Sequence, residues 1–313
     1  MIPTKEEVIA AYNRVKPFVH QTPVLTSTLI NNLTETELYF KCENFQKMGA
    51  FKMRGAINAI QQLSKAQQKS GVVTHSSGNF AQALSLAAKN LGVKAYIVMP
   101  SNAPQVKKNA VRGYGGIITE SKPTLAAREK EANKIQNKTG ATFIHPSNDT
   151  NVILGQATAA VELLKKHPNL DYVVTPVGGG GLIAGTALAT HYLNPACKVI
   201  GGEPLGADDA WRSLQSGNIE TNETASTVAD GLRTNLGDKN FPIINKLVPE
   251  IIRVEETEII AAMSLIWERL KIVVEPSSAV ALAAVFKKKA YFRNKKIGII
   301  ISGGNVDLRN LPF

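Results

Sequence analysis

Short runs of β-branched and other apolar residues alternate with longer stretches whose apolar positions recur every three or four residues, almost from end to end of the 313-residue chain. The short runs are Leu38 to Cys42, Gly71 to Thr74, Ala95 to Met99, Gly116 to Thr119, Thr142 to Ile144, Tyr172 to Thr175, Val199 to Gly202, Ile251 to Val254 and Ile297 to Ile301. Between them, Phe80 to Leu91, Thr124 to Thr139, Val152 to Lys165 and Glu256 to Arg269 carry helical spacing. Such alternation specifies βαβ units and a mainly parallel sheet covered on both faces. Nine strands are too many for one simple half, so an α/β fold with two open, mostly parallel sheets is expected. No repeat or low-complexity tract interrupts the pattern, and no Pro/Gly/Ser-rich linker marks a hinge; any division into domains comes from topology.

Lys and Arg outnumber Asp and Glu by 36 to 25, and the formal charge of +11 favours anionic ligands. The basic residues form only short clusters such as Lys287-Lys288-Lys289 and Lys295-Lys296. Without an arginine-rich arm, zinc-finger spacing or an aromatic RNA-binding strand beside them, no nucleic-acid partner is expected. The two cysteines, Cys42 and Cys197, are far apart and outside any CxxC spacing, which points to a reducing compartment. Glu6 and Glu7 stand where a secretory signal needs an apolar stretch, and no run is apolar for the ~18 residues of a membrane span. The expectation is a cytoplasmic protein with no membrane partner.

The sharpest local feature is Tyr172-Val173-Val174-Thr175-Pro176-Val177 followed by Gly178-Gly179-Gly180-Gly181 and the helix-compatible Leu182 to Leu188. A strand feeding four glycines into a helix start lets backbone N–H groups close on an anion at the helix's positive end. It is a phosphate cup without the Gly-Lys-Ser/Thr of a nucleotide-triphosphate loop and without the acidic second strand end of a dinucleotide fold. Lys52 sits between Phe51 and Met53 where a helix begins, so desolvation lowers its pKa toward the neutral amine that Schiff-base chemistry needs. Ser76-Ser77-Gly78-Asn79 follows a strand and precedes a helix, where N–H groups, hydroxyls and an amide can hold a carboxylate and leave a hydroxyl for proton transfer. Ser302-Gly303-Gly304-Asn305 closes the last strand at its carboxyl end, the edge where open α/β sheets bind ligands.

Taken together, these segments resemble the fold-type II pyridoxal 5′-phosphate enzymes, and within them the serine/threonine dehydratase and serine racemase group. The resemblance runs nearly end to end, through Glu43-Asn44-Phe45-Gln46, Ala50 to Ala56, Ser76 to Asn79, Gly178 to Gly181, Glu275-Pro276-Ser277 and Ser302 to Asn305. It implies that Lys52 carries the cofactor and later takes the Cα proton, that Gly178, Gly179, Gly180 and Gly181 hold its phosphate, that Asn79 faces the ring hydroxyl and that Ser302 faces the ring nitrogen. Ser77 then serves the opposite face of the cofactor, as in serine racemases, and Ser76, Ser77, Gly78 and Asn79 bind the substrate carboxylate with Arg128 as a second anchor.

The same resemblance implies a divalent-cation loop, with the carboxylates of Glu203 and Asp209 and the carbonyl of Ala207 as hard oxygen ligands suited to Mg²⁺, Ca²⁺ or Mn²⁺. Gln82, Tyr114, Lys271 and Asn305 match positions that contact a nucleotide effector in animal serine racemases. Two departures border the substrate pocket: Phe80 replaces the histidine of many relatives, and Ser147-Asn148-Asp149 follows His145-Pro146 where relatives differ. With the chain ending at Phe313, no isoleucine-sensing ACT module is expected. His20, His167 and His191 lack metal-ligand spacing and read as structural or exposed.

The expected architecture is a large cofactor domain, residues 1–70 and 149–313, with a smaller mobile domain, residues 71–148, inserted between them and the cofactor in the cleft. The expected activity is dehydration of L-serine or L-threonine to a 2-oxo acid and ammonia, with serine racemisation in competition and a homodimer as the assembly. The alternatives are a 3-hydroxyaspartate dehydratase, an inactive binding protein on the same fold, and a β-replacement synthase, whose relatives carry threonine where Ser76 stands.

Overall fold

The computed structural model describes residues 2–313. Its strands are β1 (Val24–Leu25), β2 (Glu37–Cys42), β3 (Val72–His75), β4 (Ala95–Pro100), β5 (Ile117–Ser121), β6 (Thr142–Phe143), β7 (Tyr172–Pro176), β8 (Lys198–Pro204), β9 (Glu250–Val254) and β10 (Lys296–Ile301). They form two sheets, one of six strands in the order β1-β2-β10-β7-β8-β9 and one of four in the order β5-β4-β3-β6. Every pairing of strands is parallel except that of β1 with β2. All nine expected strands are present. The tenth, β1, is two residues long and was not anticipated.

In β10, the run Ile297 to Ile301 is buried on both faces, as a central parallel strand requires, and Gly298 packs directly against Leu163 and Leu170. Helices cover both sides of the six-stranded sheet. One core gathers Ile153, Leu163, Val173, Ile183 and Ile300, and the other Phe40, Val174, Ile200, Val280 and Ile299. A third core, with Ile57, Phe80, Leu84 and Ile97, joins the four-stranded sheet to the helix Lys52–Gln61.

The local chemistry sets where these helices start. Asp149 caps the helix Thr150–Lys166 by accepting from the N–H groups of Asn151 and Val152. Pro276, whose ring lacks the N–H a first turn leaves idle, opens the helix Pro276–Lys287. Because parallel strands end on one side of their sheet, the segments after β2, β7 and β10 gather at one edge. The segments after β3 and β6 meet them from the other sheet.

Candidate active site

Four hydrogen bonds join the two sets of loops. The amine of Lys52 donates to the Pro146 carbonyl at 2.8 Å, and Asn79 Nδ2 donates to both oxygens of Glu275 at 2.9 and 3.1 Å. Asn305 Nδ2 donates to Asn79 Oδ1 at 2.9 Å. Lys52, Asn79, the Gly49 to Ala50 turn and the Ser302 strand end are thereby brought together, since Ala50 also bridges Gly303.

Lys52 opens its helix with its ammonium 5.0 Å from the Phe51 ring centre and 5.8 Å from that of Phe80. Burial pulls its pKa down to about 8, against the opposing pull of the Glu275 carboxylate. Phe80, read from sequence as a departure at the substrate pocket, is therefore part of the apolar wall around the amine. Burial also pushes the Glu275 carboxyl up to about 7, with the Asn79 amide opposing.

In the glycine quartet, none of the four N–H groups donates to any acceptor among the described residues, although the segment is largely buried. Gly180 takes φ +77, a left-handed conformation that glycine adopts without strain, and caps the helix Gly181–Leu193. The Ser147 hydroxyl, buried and without a partner, lies 2.5 Å from where a Cβ on Gly179 would stand. Unpaired buried donors are rare in a native fold. Such a cluster, joined through the Ser147 loop to the Pro146 carbonyl that receives the Lys52 amine, fits a ligand with an acceptor-rich anionic tail and a carbonyl carbon, which is the donor and acceptor pattern of pyridoxal phosphate.

Ser302 is buried and pairs its hydroxyl with Ser278 at 3.0 Å. Ser278 in turn grips the Gly303 carbonyl and N–H, both at 2.7 Å, so its own position is fixed. Ser76, Ser77 and Gly78 form the turn between β3 and the helix Asn79–Asn90 and are partly exposed. Arg128 stands on the helix Leu125–Thr139 with its Nε buried and unpaired. It is close enough to His75, the last residue of β3, for its charge to add to the burial that lowers the His75 pKa. His145, after β6, accepts the N–H groups of Ser147 and Asn148. Its pKa falls to about 4 through burial and then through the positive charges of His75, Lys52 and Lys239.

Glu203 and Ala207 are fully buried on either side of the turn after β8, and Asp209 opens the next helix. Glu203 accepts the N–H groups of Ala210 and Trp211 at 3.0 and 2.7 Å. Asp209 accepts from Asn222 Nδ2 at 2.7 Å and from the Leu236 N–H at 3.1 Å. Burial and the Asp209 charge push Glu203 well above the usual carboxylate range, and burial pushes Asp209 up to about 6. Two buried carboxylates, one of which raises the other's cost of ionisation, suit a cation between them. Among the described residues no cluster of three or more His, Cys, Asp or Glu side chains is placed to hold a metal.

Of the four effector positions, Gln82 and Tyr114 lie with the four-stranded sheet, and Lys271 and Asn305 with the six-stranded one. Asn305 is engaged by Met48 and Asn79. Sequence reasoning missed Asn240 and assigned no role to Glu275 or Ser147. The Glu275-Pro276-Ser277 motif was visible, whereas Asn240 carries no local signal.

Residues 15–303 match the family model described as pyridoxal-phosphate dependent enzyme, and the chain belongs to that family. Its members include lyases and racemases, and the chain is a pyridoxal-phosphate enzyme of that kind. Among particular relatives, it is 50% identical to a beta-hydroxyaspartate dehydratase of Paracoccus denitrificans over 100% of this chain and 99% of that one. It is 51% identical to the serine racemase of Dictyostelium discoideum over 98% of this chain and 96% of that one, and the crystal structure of that racemase superposes with a TM-score of 0.95, covering 98% of this chain and 100% of that one. A threonine deaminase from T.th. superposes with a TM-score of 0.93 at 42% identity, over 98% of this chain and 99% of that one.

Proposed function

We propose that this chain is a serine/threonine ammonia-lyase that converts L-serine or L-threonine to a 2-oxo acid and ammonia, with racemisation of serine as a competing outcome at the same site. The observation that carries the reading is a glycine quartet whose N–H groups have no acceptor, beside the Ser147 loop whose preceding residue, Pro146, receives the Lys52 amine. Pyridoxal phosphate held there supplies an electron sink for negative charge at the substrate Cα.

The residues supply the rest. Lys52 would hold the cofactor through its amine and, in its neutral form, would take the proton from the substrate Cα. Gly178 to Gly181 hold the phosphate, with the unpaired Ser147 hydroxyl beside them. Asn79, fixed by Glu275 and Asn305, faces the ring hydroxyl. Ser302 offers a neutral hydroxyl to the ring nitrogen and does not force it to be protonated, which favours prompt loss of a β-hydroxyl. Ser76, Ser77, Gly78 and Asn79 bind the substrate carboxylate with Arg128 behind them. Ser77 moves a proton on the face opposite Lys52, so removal and return from two sides become available.

A second reading, 3-hydroxyaspartate dehydration, is favoured by the 50% identity, over the whole chain, to the beta-hydroxyaspartate dehydratase of Paracoccus denitrificans. One assay separates these: 2-oxo acid, ammonia and D-serine measured over L-serine, L-threonine and both 3-hydroxyaspartate diastereomers. Preference for L-serine or L-threonine supports the first reading and preference for a hydroxyaspartate the second. Cofactor absorbance that borohydride removes, without turnover on any of them, would leave a binding protein.

Residues 71–148 are proposed as the mobile domain that closes over substrate, in a cytoplasmic homodimer. A divalent cation held by Glu203, Ala207 and Asp209 is proposed as a stabiliser of the β8 loop; chelation should lower the melting temperature, and an unchanged melt would remove it. No helix among the described residues is long and apolar enough to cross a membrane.

A further inference from the structure

Four glycine N–H groups can serve an anion only if their peptides are kept turned toward it, and a Gly-Gly peptide has little steric resistance to turning away. Asn240 is fully buried beside this segment. Its Nδ2 donates to the Gly179 carbonyl at 2.8 Å and to the Ser147 carbonyl at 3.3 Å, and its Oδ1 accepts the Gly237 N–H at 3.1 Å. Both amide protons and the amide oxygen are thus engaged on three separate loops.

The C=O and N–H of a trans peptide point in opposite directions. Holding the Gly179 carbonyl on Asn240 therefore turns the Gly180 N–H away from it, and that N–H has no acceptor among the described residues. The second donor holds Ser147, one residue beyond Pro146, whose carbonyl receives the Lys52 amine at 2.8 Å. A single carboxamide thereby links the cup to the loop that aims the lysine.

We propose that Asn240 is a positioning residue that locks the Gly179–Gly180 peptide in its phosphate-accepting orientation and keeps the cup in register with Lys52. This rests on the cofactor assignment and not on the choice of substrate. Aspartate at this position keeps the shape but has no donor and adds a negative charge beside the cup. Alanine loses all three bonds, and serine keeps one donor.

The test is equilibrium absorbance titration of apoprotein with pyridoxal 5′-phosphate and, separately, with pyridoxal, which lacks the phosphate. Asn240→Ala should weaken the phosphorylated cofactor about tenfold to a hundredfold, as expected for loss of hydrogen bonds to a charged group. Asn240→Asp should weaken it more, while pyridoxal changes less than about threefold. The ³¹P resonance of the bound cofactor should shift in any variant that retains it. Equal weakening of both ligands would show a general packing role and overturn the proposal, as would no weakening of either. If these two variants fail to fold by circular dichroism, Asn240→Ser decides: a loss confined to the phosphorylated ligand supports the lock, and any other pattern rejects it. A wild-type protein that binds cofactor but turns over no hydroxy-amino acid would remove the substrate reading and leave this one standing.

Discussion

Two buried polar clusters start from neighbouring residues of one helix and are built in opposite ways. Lys52 and Arg54 are two residues apart, about 200° around the helix axis, so one side chain enters the candidate site and the other the core. Arg54 is fully buried and divides its guanidinium among Glu43 at 2.7 and 2.8 Å, Glu162 at 2.8 and 2.9 Å and Thr158 at 3.2 Å. Lys41 closes the group by donating to Glu162 at 2.6 Å and to the Thr22 carbonyl at 2.8 Å. Two cations and two anions balance without help from solvent. Around Lys52, by contrast, the amine has one carbonyl, the glycine quartet has no acceptor and the Ser147 hydroxyl has no partner. The first cluster is complete within the chain, and the second is completed only by a ligand. A saturated, fully buried polar cluster holds the fold; an unsaturated, partly buried one marks where chemistry happens.

Removing Lys52 should give the largest effect on activity. Lys52→Ala is expected to lower 2-oxo acid formation by more than about a thousandfold, because both covalent attachment and proton removal are lost. The urea midpoint of the apoprotein should barely move, since the amine contributes little to the fold. Persistent turnover would refute the role, and a collapse of stability would refute the contrast.

Arg54→Met should do the reverse. It leaves Glu43 and Glu162 buried with only Lys41 between them, and breaking such a network costs about 3–5 kcal/mol. Burial pushes the Glu43 carboxyl up, but Arg54 and then Lys41 more than offset this and hold it low in the native chain. Urea unfolding should register the loss directly. A stability change under about 1 kcal/mol would mean that the Arg54 ion cluster is not the anchor it resembles.

Next in size is Ser77→Ala. Reaction with D-serine and formation of D-serine should fall about a hundredfold, while 2-oxo acid formation from L-serine stays within a few fold. Chiral product analysis checks it, and equal losses on both enantiomers would contradict a two-face arrangement.

The legibility of the two clusters differs for a physical reason. Strands such as Ile297 to Ile301 and the glycine quartet announce themselves because composition over a few neighbouring residues decides them. Lys52 was readable because its flanking Phe51 and Met53 predict desolvation, and burial does pull the amine down. The two-residue β1 was not, because it exists only through pairing with Phe40 and Lys41. Lys41, inside a strand, carries no local signal of its burial, because its partner Glu162 lies 121 residues away. Asn240, Ser147 and the grip of Glu275 on Asn79 are likewise products of tertiary contact across 61 to 196 residues. Local signals carried the parts that touch backbone; the side chains that orient those parts are long-range.

Glu275 offers the finest test of the unsaturated cluster, because its carboxylate opposes the burial that depresses Lys52. Only the neutral amine attacks an aldehyde. The rate at which apoprotein bonds added cofactor should therefore fall about tenfold per pH unit below the amine's pKa and level off above it, with the inflection near 8. Glu275 itself is pushed up to about 7, so it is mostly ionised where Lys52 titrates and holds the ammonium form in place. Glu275→Gln removes that negative charge while keeping an oxygen for Asn79. The inflection should then move down, by no more than about one unit, and attachment at neutral pH should quicken. Stopped-flow absorbance over a pH series reads the shift. An inflection that stays still or rises would place the charge of Glu275 on Asn79 alone, and would make the depressed amine a matter of burial between Phe51 and Phe80 without electrostatic tuning.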